Sequence, residues 1–316
     1  MSTLPKLIVI LGPTASGKTS LSLELAKKFK GEIVNADSRQ IYKGMDIGTG
    51  KVVDKKSVKH YLLDVIDPDE EFTLVDYKKK AVAAIRDILK RGKTPFLVGG
   101  TGLYIQAIVD NLEIPAVPPN KKLRAQFEKE IKKPGALAKW YKKLLKIDPG
   151  AAFVVDKNNP RRIIRALEVC LATGRQFSKL REKGEPLFEV LQIGISIPRK
   201  KLYENIDRRV DQMMKDGLVT ETKKLVKKFQ VPSSKFQELP SMSGIGYKEM
   251  GEYLGEKLKV KSEKLRKKIL ENKIQEIKWR THAYARRQMT WFRRDKRIKW
   301  IKNYKEAKNK IGKWLK

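Results

Sequence analysis

The sequence predicts an α/β fold, in which helices flank a parallel sheet and an all-helical segment is inserted. Through residue 114, short apolar runs alternate with segments of helical periodicity, as in a sheet with crossover helices. From 115 to 197 the pattern is helical until strand alternation returns at 189–197. A chain of 316 residues also exceeds what one core usually organises. We therefore expect an α/β core of residues 1–114 and 198–316, and a helical insertion of residues 115–197.

A glycine-rich loop joins the first predicted strand to the first predicted helix. The apolar run 7–11 precedes the sequence GPTASGKT at 12–19, and Leu21, Leu25 and Phe29 follow at helical spacing. This context is typical of a P-loop, whose backbone N–H groups surround phosphate oxygens beside a helix N-terminus. Lys18 supplies an ammonium group, and the hydroxyl of Thr19 can hold Mg²⁺. The predicted phosphate site thus comprises Gly12, Pro13, Thr14, Ala15, Ser16, Gly17, Lys18 and Thr19, on a P-loop NTPase-like core, and the P-loop alone indicates only that a di- or triphosphate binds.

Carboxylates follow the next two predicted strands. Asp37 comes just after the apolar pair Ile33–Val34, so it is expected at the carboxyl edge of the sheet with the P-loop. A turn residue or helix N-cap is the ordinary alternative for such an Asp. A third strand is predicted over 60–68, and it lacks the clean apolar run ending in Asp that a metal-holding carboxylate usually follows.

The following segments complete the first part of the core. Thr73 and Asp76 form a capping box that predicts a helix to about Arg91. A strand over 94–98 then ends in the sequence GGTGLY at 99–104, which permits either close approach to a ligand or a simple tight turn.

The insertion begins after a proline-rich hinge at 114–120, with helical patterns at 121–132 and 136–147. Asn159 and Pro160 predict the start of a helix that ends at Gly174. On it, Arg161, Arg165 and Glu168 share one face opposite an apolar face. A basic face of this kind suits RNA or simply water.

The C-terminal part is predicted to be helical over 201–229, to turn at 243–248, and to form a long helix from Ser262. That helix has an apolar stripe, with Arg280, Arg287 and Arg294 on another side. The lysine-rich tail after residue 295 is expected to be loosely held.

The composition indicates a cytoplasmic protein with a polyanionic partner. The formal net charge is +35, although 52 of the 71 basic residues are lysines, which a lysine-rich proteome would also explain. No secretory signal or membrane-spanning apolar run is visible. The single cysteine, Cys170, excludes an intramolecular disulfide and a cysteine zinc cluster.

Taken together, the motifs resemble those of the bacterial tRNA dimethylallyltransferases (tRNA isopentenyltransferases). The matching stretches run nearly end to end: GPTASGKT at 12–19, ADSRQIYKGMDIGTGK at 36–51, VGGTGLYIQAI at 98–108, NPRRIIRALEV at 159–169, GIGYKEM at 244–250 and YARRQMTWFRRD at 284–295. The resemblance implies transfer of a dimethylallyl group from its diphosphate to the N6 amine of the tRNA adenine on the 3′ side of the anticodon. It also implies Mg²⁺ as cofactor and an insertion that contacts the anticodon stem-loop. We expect a monomer.

The resemblance also implies roles for single residues. Asp37 would be the general base, and Arg209 would hold the diphosphate with the P-loop. The implied catalytic set is Asp37, Lys18, Thr19, Thr101 and Arg209. The implied tRNA-binding set is Asp37, Ser38, Arg39, Gln40, Thr101, Arg124, Arg161, Arg162, Ile163, Ile164 and Arg165.

One departure and three alternatives accompany this interpretation. The family usually has two adjacent histidines before the third strand's Leu, where this chain has His60-Tyr61. An adenylate isopentenyltransferase would share the P-loop and Asp37 but has less need of the basic helix. A P-loop kinase would use ATP, and an RNA-binding module would leave the P-loop unexplained.

Overall fold

A six-stranded parallel sheet forms the centre of the protein, as predicted. The computed structural model describes residues 4–52, 57–115, 117–179, 183–230 and 239–316. The strands are β1 (Lys6–Leu11), β2 (Gly31–Asn35), β3 (His60–Tyr61), β4 (Thr94–Gly99), β5 (Glu189–Ile195) and β6 (Lys299–Ile301). Their order in the sheet is β3-β2-β4-β1-β5-β6, and every pairing is parallel. The strand β1, which precedes the P-loop, therefore lies between β4 and β5. The strand β2, whose C-terminal end precedes Asp37, lies on the other side of β4.

Alternation along β1 separates two hydrophobic cores. Leu7, Val9 and Leu11 face α2 (Leu74–Lys90) and α3 (Gly102–Val109), whereas Ile8 and Ile10 face α1 (Lys18–Lys28) and α12 (Tyr304–Leu315). All five β1 side chains are fully buried. The sheet is thus covered on both faces, as a parallel sheet requires.

A third hydrophobic core lies between the helices that follow β5. It is built from α8 (Arg199–Lys215), α9 (Leu218–Lys228), α10 (Tyr247–Leu258) and α11 (Glu263–Phe292), together with the loop that follows β2. None of the described helices is both long enough and apolar enough to cross a membrane.

The chain divides into two compact units whose boundaries differ from the prediction. One unit contains residues up to 109 and from 187 onward, and the other contains residues 110–186. The predicted insertion of 115–197 therefore extends too far at its C-terminal end. The reason is β5, which pairs with β1 and β6 and so belongs to the core.

The second unit is helical in its described residues. It contains α4 (Lys121–Glu130), α5 (Ala136–Ile147), the short α6 (Ala151–Val154) and α7 (Pro160–Thr173). Asn159 accepts a hydrogen bond from the backbone N–H of Arg162, and Gly174 ends α7 in the left-handed conformation, as predicted. Their common core includes Phe127, Trp140 and Leu144.

Three sequence predictions about the core unit need correction, while the capping box of Thr73 and Asp76 is confirmed. The third strand covers only His60–Tyr61, because Leu62 and Asp64 have positive φ angles that interrupt an extended chain. The predicted helix over 201–229 breaks at Gly217, whose φ is 96°. The tail after residue 295 is ordered: β6 pairs with β5, and Ala307 and Ile311 of α12 are fully buried.

Candidate active site

The P-loop connects β1 to α1 as its sequence predicts. Gly17 is the N-cap of α1 with a φ of 88°, a conformation that a side chain would strain, and Ala15 also has a positive φ of 58°. Such alternation of backbone conformations points successive N–H groups toward one anion. The loop therefore has the backbone form of a phosphate site.

The ammonium group of Lys18 is poorly solvated in the P-loop. Its ammonium donates a hydrogen bond to the Pro13 carbonyl at 2.6 Å. Burial lowers the pKa of Lys18 from 10.5 to about 8; the Asp37 carboxylate opposes this shift and Arg209 adds to it. A bound anion would relieve this cost, because it would give the ammonium a charged partner.

Arg209 reaches the same place from α8. Its Nη2 donates to the carbonyl of Thr49 at 3.0 Å. Burial lowers the pKa of Arg209 while Asp37 raises it. Two half-buried cations thus accompany one carboxylate, which leaves net positive charge for an anionic ligand.

Asp37 is held at the end of β2 by its own neighbours. The side chain of Asn35 accepts from the Asp37 N–H at 3.1 Å and donates to the carbonyls of Asp37 and Leu62 at 3.1 and 3.0 Å. Asp37 Oδ1 accepts from the Arg39 N–H at 2.9 Å. Within the described parts of the chain, Oδ2 accepts no hydrogen bond. One carboxylate oxygen is therefore fixed, and the other is available to take a proton.

Thr101 and Gln288 tie this segment to the rest of the site. Thr101 Oγ1 accepts from the Ser38 N–H at 3.0 Å. Gln288 of α11, which is buried, accepts from the Thr14 N–H at 2.8 Å and donates to the Gly100 carbonyl at 2.9 Å. The sequence does not identify either Gln288 or Asn35 as a site residue, although a polar residue within the apolar stripe of α11 was an available signal for Gln288.

Arg39 and Gln40 use their side chains inside the protein. The Arg39 guanidinium donates to the carbonyl of Ser241 at 3.2 Å and to Ser243 Oγ at 3.1 Å. Gln40 donates to the carbonyls of Thr49 and Gly50, both at 3.2 Å. Contact of these two residues with tRNA stays a prediction, and the structure gives each of them a role in fixing loops.

Two adjoining cavities share Asp37, Arg209, Thr14 and Thr49 in their walls. The smaller, of about 70 Å³, is also lined by Lys18, Thr19, His60 and Gln288. The larger, of about 280 Å³, has an apolar part formed by Ile206, Val210, Met213 and Ile277. Tyr284 also lines it, and burial raises the pKa of Tyr284 to about 12. Asp37 thus stands between a cation-lined cavity and a roomier, partly apolar one.

The site fits Mg²⁺ only if a ligand supplies most of the coordination. Thr19 is exposed and is among the residues that line the smaller cavity. Among the described residues, no group of three or more His, Cys, Asp or Glu side chains could hold a metal ion. Mg²⁺ is commonly bound through one or two protein oxygens plus substrate phosphates and water, which matches this arrangement.

The arginines predicted to bind tRNA in the second unit fall into two groups. Arg124 donates to Glu168 at 2.6 and 3.0 Å, and Arg165 donates to the Val117 carbonyl at 2.8 Å. The side chain of Glu168 is fully buried, so these arginines hold the unit together. Arg161 and Arg162 are exposed. The face predicted from Arg161, Arg165 and Glu168 is therefore not one solvent-facing surface.

Ile163 and Ile164 need a further correction. They are 0% and 7% exposed and belong to the core around Trp140. Their side chains offer no surface to tRNA, because the apolar face of α7 packs inward.

Two family models match the chain. The IPP transferase model matches residues 40–295, and the isopentenyl transferase model matches residues 5–64. A tRNA dimethylallyltransferase of Roseiflexus sp. strain RS-1 is 45% identical over 290 residues, which are 91% of this chain and 90% of the relative. The tRNA dimethylallyltransferase of Acetivibrio thermocellus is 43% identical over 316 residues, covering 98% of this chain and 96% of the relative.

Solved structures give the same result. The full-length tRNA isopentenylpyrophosphate transferase of Bacillus halodurans is 37% identical with a TM-score of 0.68, covering 98% of this chain and 95% of that one. A eukaryotic dimethylallyltransferase acting on tRNA is 30% identical with a TM-score of 0.71, covering 91% of this chain and 69% of that one.

Proposed function

The chain belongs to the tRNA dimethylallyltransferases of the IPP transferase family. We propose which step of this transfer reaction each residue around the two cavities carries out. The reaction moves a dimethylallyl group from dimethylallyl diphosphate to the N6 amine of an adenine in tRNA, the adenine on the 3′ side of the anticodon. The carbon–oxygen bond to the diphosphate breaks, a carbon–nitrogen bond forms, and the amine loses one proton. Diphosphate is the second product.

The P-loop, Lys18 and Arg209 bind the diphosphate. Negative charge grows on the leaving oxygen as its bond to the allylic carbon breaks, and buried cations stabilise this charge more than exposed ones would. Partial burial lowers the pKa of both Lys18 and Arg209, which is the direction expected for charges that water solvates poorly. The diphosphate therefore gains strong partners in the transition state.

Thr19 would hold Mg²⁺ together with diphosphate oxygens. The ion would neutralise part of the diphosphate charge when bound. The support for it is that Thr19, an exposed residue with a hydroxyl, lines the smaller cavity, where Asp37 is the one carboxylate among the described lining residues.

Asp37 is the general base. An adenine amine is a weak nucleophile because its lone pair is delocalised into the ring, and removal of its proton during attack makes the reaction feasible. Oδ1 is fixed by the Arg39 N–H, which orients Oδ2 for the proton. The single observation that carries this proposal is that Asp37 lines both cavities, one suited to the diphosphate and one large enough for an adenine extruded from the RNA.

The second unit supplies part of the tRNA surface through Arg161 and Arg162. Both guanidiniums are exposed, and the net charge of +35 favours a long polyanion. Arg124 and Arg165 contribute indirectly, because they fix the helices that carry this surface.

A mass-spectrometric assay tests the proposal. The enzyme, Mg²⁺, dimethylallyl diphosphate and an unmodified tRNA are incubated, and the RNA is digested to nucleosides. We expect one adenosine that is heavier by a single prenyl group, and unchanged AMP in a parallel tube. Prenylated AMP with unmodified tRNA would support an adenylate isopentenyltransferase instead, and ATP consumption with neither product would support a kinase. An Asp37→Asn enzyme should bind tRNA with normal affinity and lose turnover, and normal turnover would contradict the general-base role.

A further inference from the structure

The loop from Asp46 to Gly50 contacts the Arg209 guanidinium. Thr49 lines both cavities, while Gly48 lines the larger and Gly50 the smaller. The Thr49 carbonyl accepts the hydrogen bond from Arg209 Nη2 at 3.0 Å. A shift of this backbone would therefore move the guanidinium relative to a bound diphosphate.

Glu221 in the first turn of α9 anchors that loop. Its carboxylate accepts hydrogen bonds from three successive backbone N–H groups, those of Asp46 at 3.1 Å, Ile47 at 3.0 Å and Gly48 at 3.4 Å. Three consecutive N–H groups around one anion form a nest, the same backbone device that binds phosphate in a P-loop. Here the protein's own carboxylate occupies it, so the loop is held by charge-assisted hydrogen bonds.

Tyr247 at the start of α10 completes the anchor. Its hydroxyl donates to Glu221 Oε1 at 2.5 Å and accepts from the Gly48 N–H at 3.1 Å. Burial, with the Glu221 carboxylate beside it, raises the pKa of Tyr247 far above its usual value, so the hydroxyl stays a donor. A Cβ at residue 48 would lie 2.4 Å from the Tyr247 ring, so only glycine allows this close approach.

Neither Glu221 nor Tyr247 is among the residues that line the two cavities. We propose that they are positioning residues that act through the 46–50 loop to set Arg209 for the diphosphate. This inference rests on the proposed function, in which Arg209 binds the diphosphate.

Steady-state kinetics of Glu221→Gln and Tyr247→Phe test the inference. We expect the KM for dimethylallyl diphosphate to rise about tenfold in each variant. This factor corresponds to the free energy of one lost charge-assisted hydrogen bond. The KM for tRNA should change by less than about twofold, because the loop acts on the diphosphate side. Lys224→Gln, which removes an exposed charge from the same helix, is the matched control and should leave both constants unchanged. Equal rises in both KM values would overturn the inference, since they would indicate general damage to the fold.

A double-mutant cycle with Arg209→Lys separates positioning from stability. If Glu221 works through Arg209, adding Glu221→Gln to Arg209→Lys should raise the diphosphate KM by less than about twofold further. A full tenfold further rise would refute the coupling. Arg209→Lys with an unchanged diphosphate KM would instead refute the role of Arg209 in the proposed function. A raised KM in Arg209→Lys with a normal KM in Glu221→Gln would refute only the positioning role.

Discussion

The lowered pKa of Lys18 predicts how diphosphate binding depends on pH. With a pKa of about 8 in the free enzyme, Lys18 is mostly an ammonium at pH 7 and mostly neutral at pH 9. Only the ammonium form neutralises the diphosphate, so raising the pH removes a charge from the site. Arg209 stays charged over this range and the pKa of Tyr284 is about 12, so neither of these two groups titrates between pH 7 and pH 9.

The magnitude follows from the fraction of Lys18 that is protonated. About 90% is ammonium at pH 7 and about 10% at pH 9, so kcat/KM for dimethylallyl diphosphate should fall about tenfold between them. The kcat should stay nearly constant, because a bound diphosphate raises the pKa of Lys18 and keeps it charged. The pH effect should therefore appear in KM.

The assay measures initial rates of tRNA modification at saturating tRNA from pH 6.5 to 9.5, with Lys18→Arg as the matched variant. A guanidinium does not titrate in this range, so the alkaline fall should disappear in Lys18→Arg whatever its absolute rate. An identical fall in both enzymes would refute the reasoning, since the titrating group would then lie elsewhere. So would a flat profile in the unaltered enzyme.

Further predictions concern stability and RNA binding. Lys18→Met should raise the free energy of unfolding at pH 7 by up to about 3 kcal/mol, because the shift of the Lys18 pKa from 10.5 to about 8 is the cost of keeping its charge in the folded protein. This gain in stability should shrink as the pH rises from 8 to 10.5. Thermal and urea unfolding measure it. Glu168→Gln should lower the free energy of unfolding by about 1–3 kcal/mol, because the pair with Arg124 loses its buried charge; an unchanged urea midpoint would contradict this structural role. Arg161→Ala combined with Arg162→Ala should weaken tRNA binding and reduce the slope of log affinity against log salt by about 1–2. The control is Arg175→Ala, an exposed arginine just past the other end of α7. An unaltered slope in the double variant would place the RNA surface elsewhere.

Much of the site was predictable because it depends on local sequence. The P-loop and Asp37 each follow a buried strand directly, and a parallel sheet brings the ends of its strands to one edge. Capping residues such as Thr73 and Asn159 mark helix starts through bonds within three residues of themselves. Such signals need no knowledge of tertiary structure.

The remainder depended on long-range contacts that leave a weak trace in sequence. Gln288 contacts Thr14 across 274 residues, and nothing in the periodicity of α11 identifies this partner. A basic residue on a helix looks the same whether it meets water, RNA or a buried Glu168, so the roles of Arg124 and Arg165 required coordinates. The tail after residue 295 was expected to be loosely held because it is rich in lysine, but the two apolar residues Ala307 and Ile311 are buried and pack it against the core.

The bridge from Gln288 to Thr14 and Gly100 also bears on biosynthesis. Gln288, the residue that joins the P-loop backbone to the turn after β4, is translated 274 residues after its partner Thr14. The central strand β1 likewise waits for β5, at residues 189–195, before both of its edges are paired. A nascent chain that stops before α11 would contain the P-loop without the hydrogen bonds from Gln288 to Thr14 and Gly100. Competence to bind the diphosphate should therefore arise only after α11 has been translated.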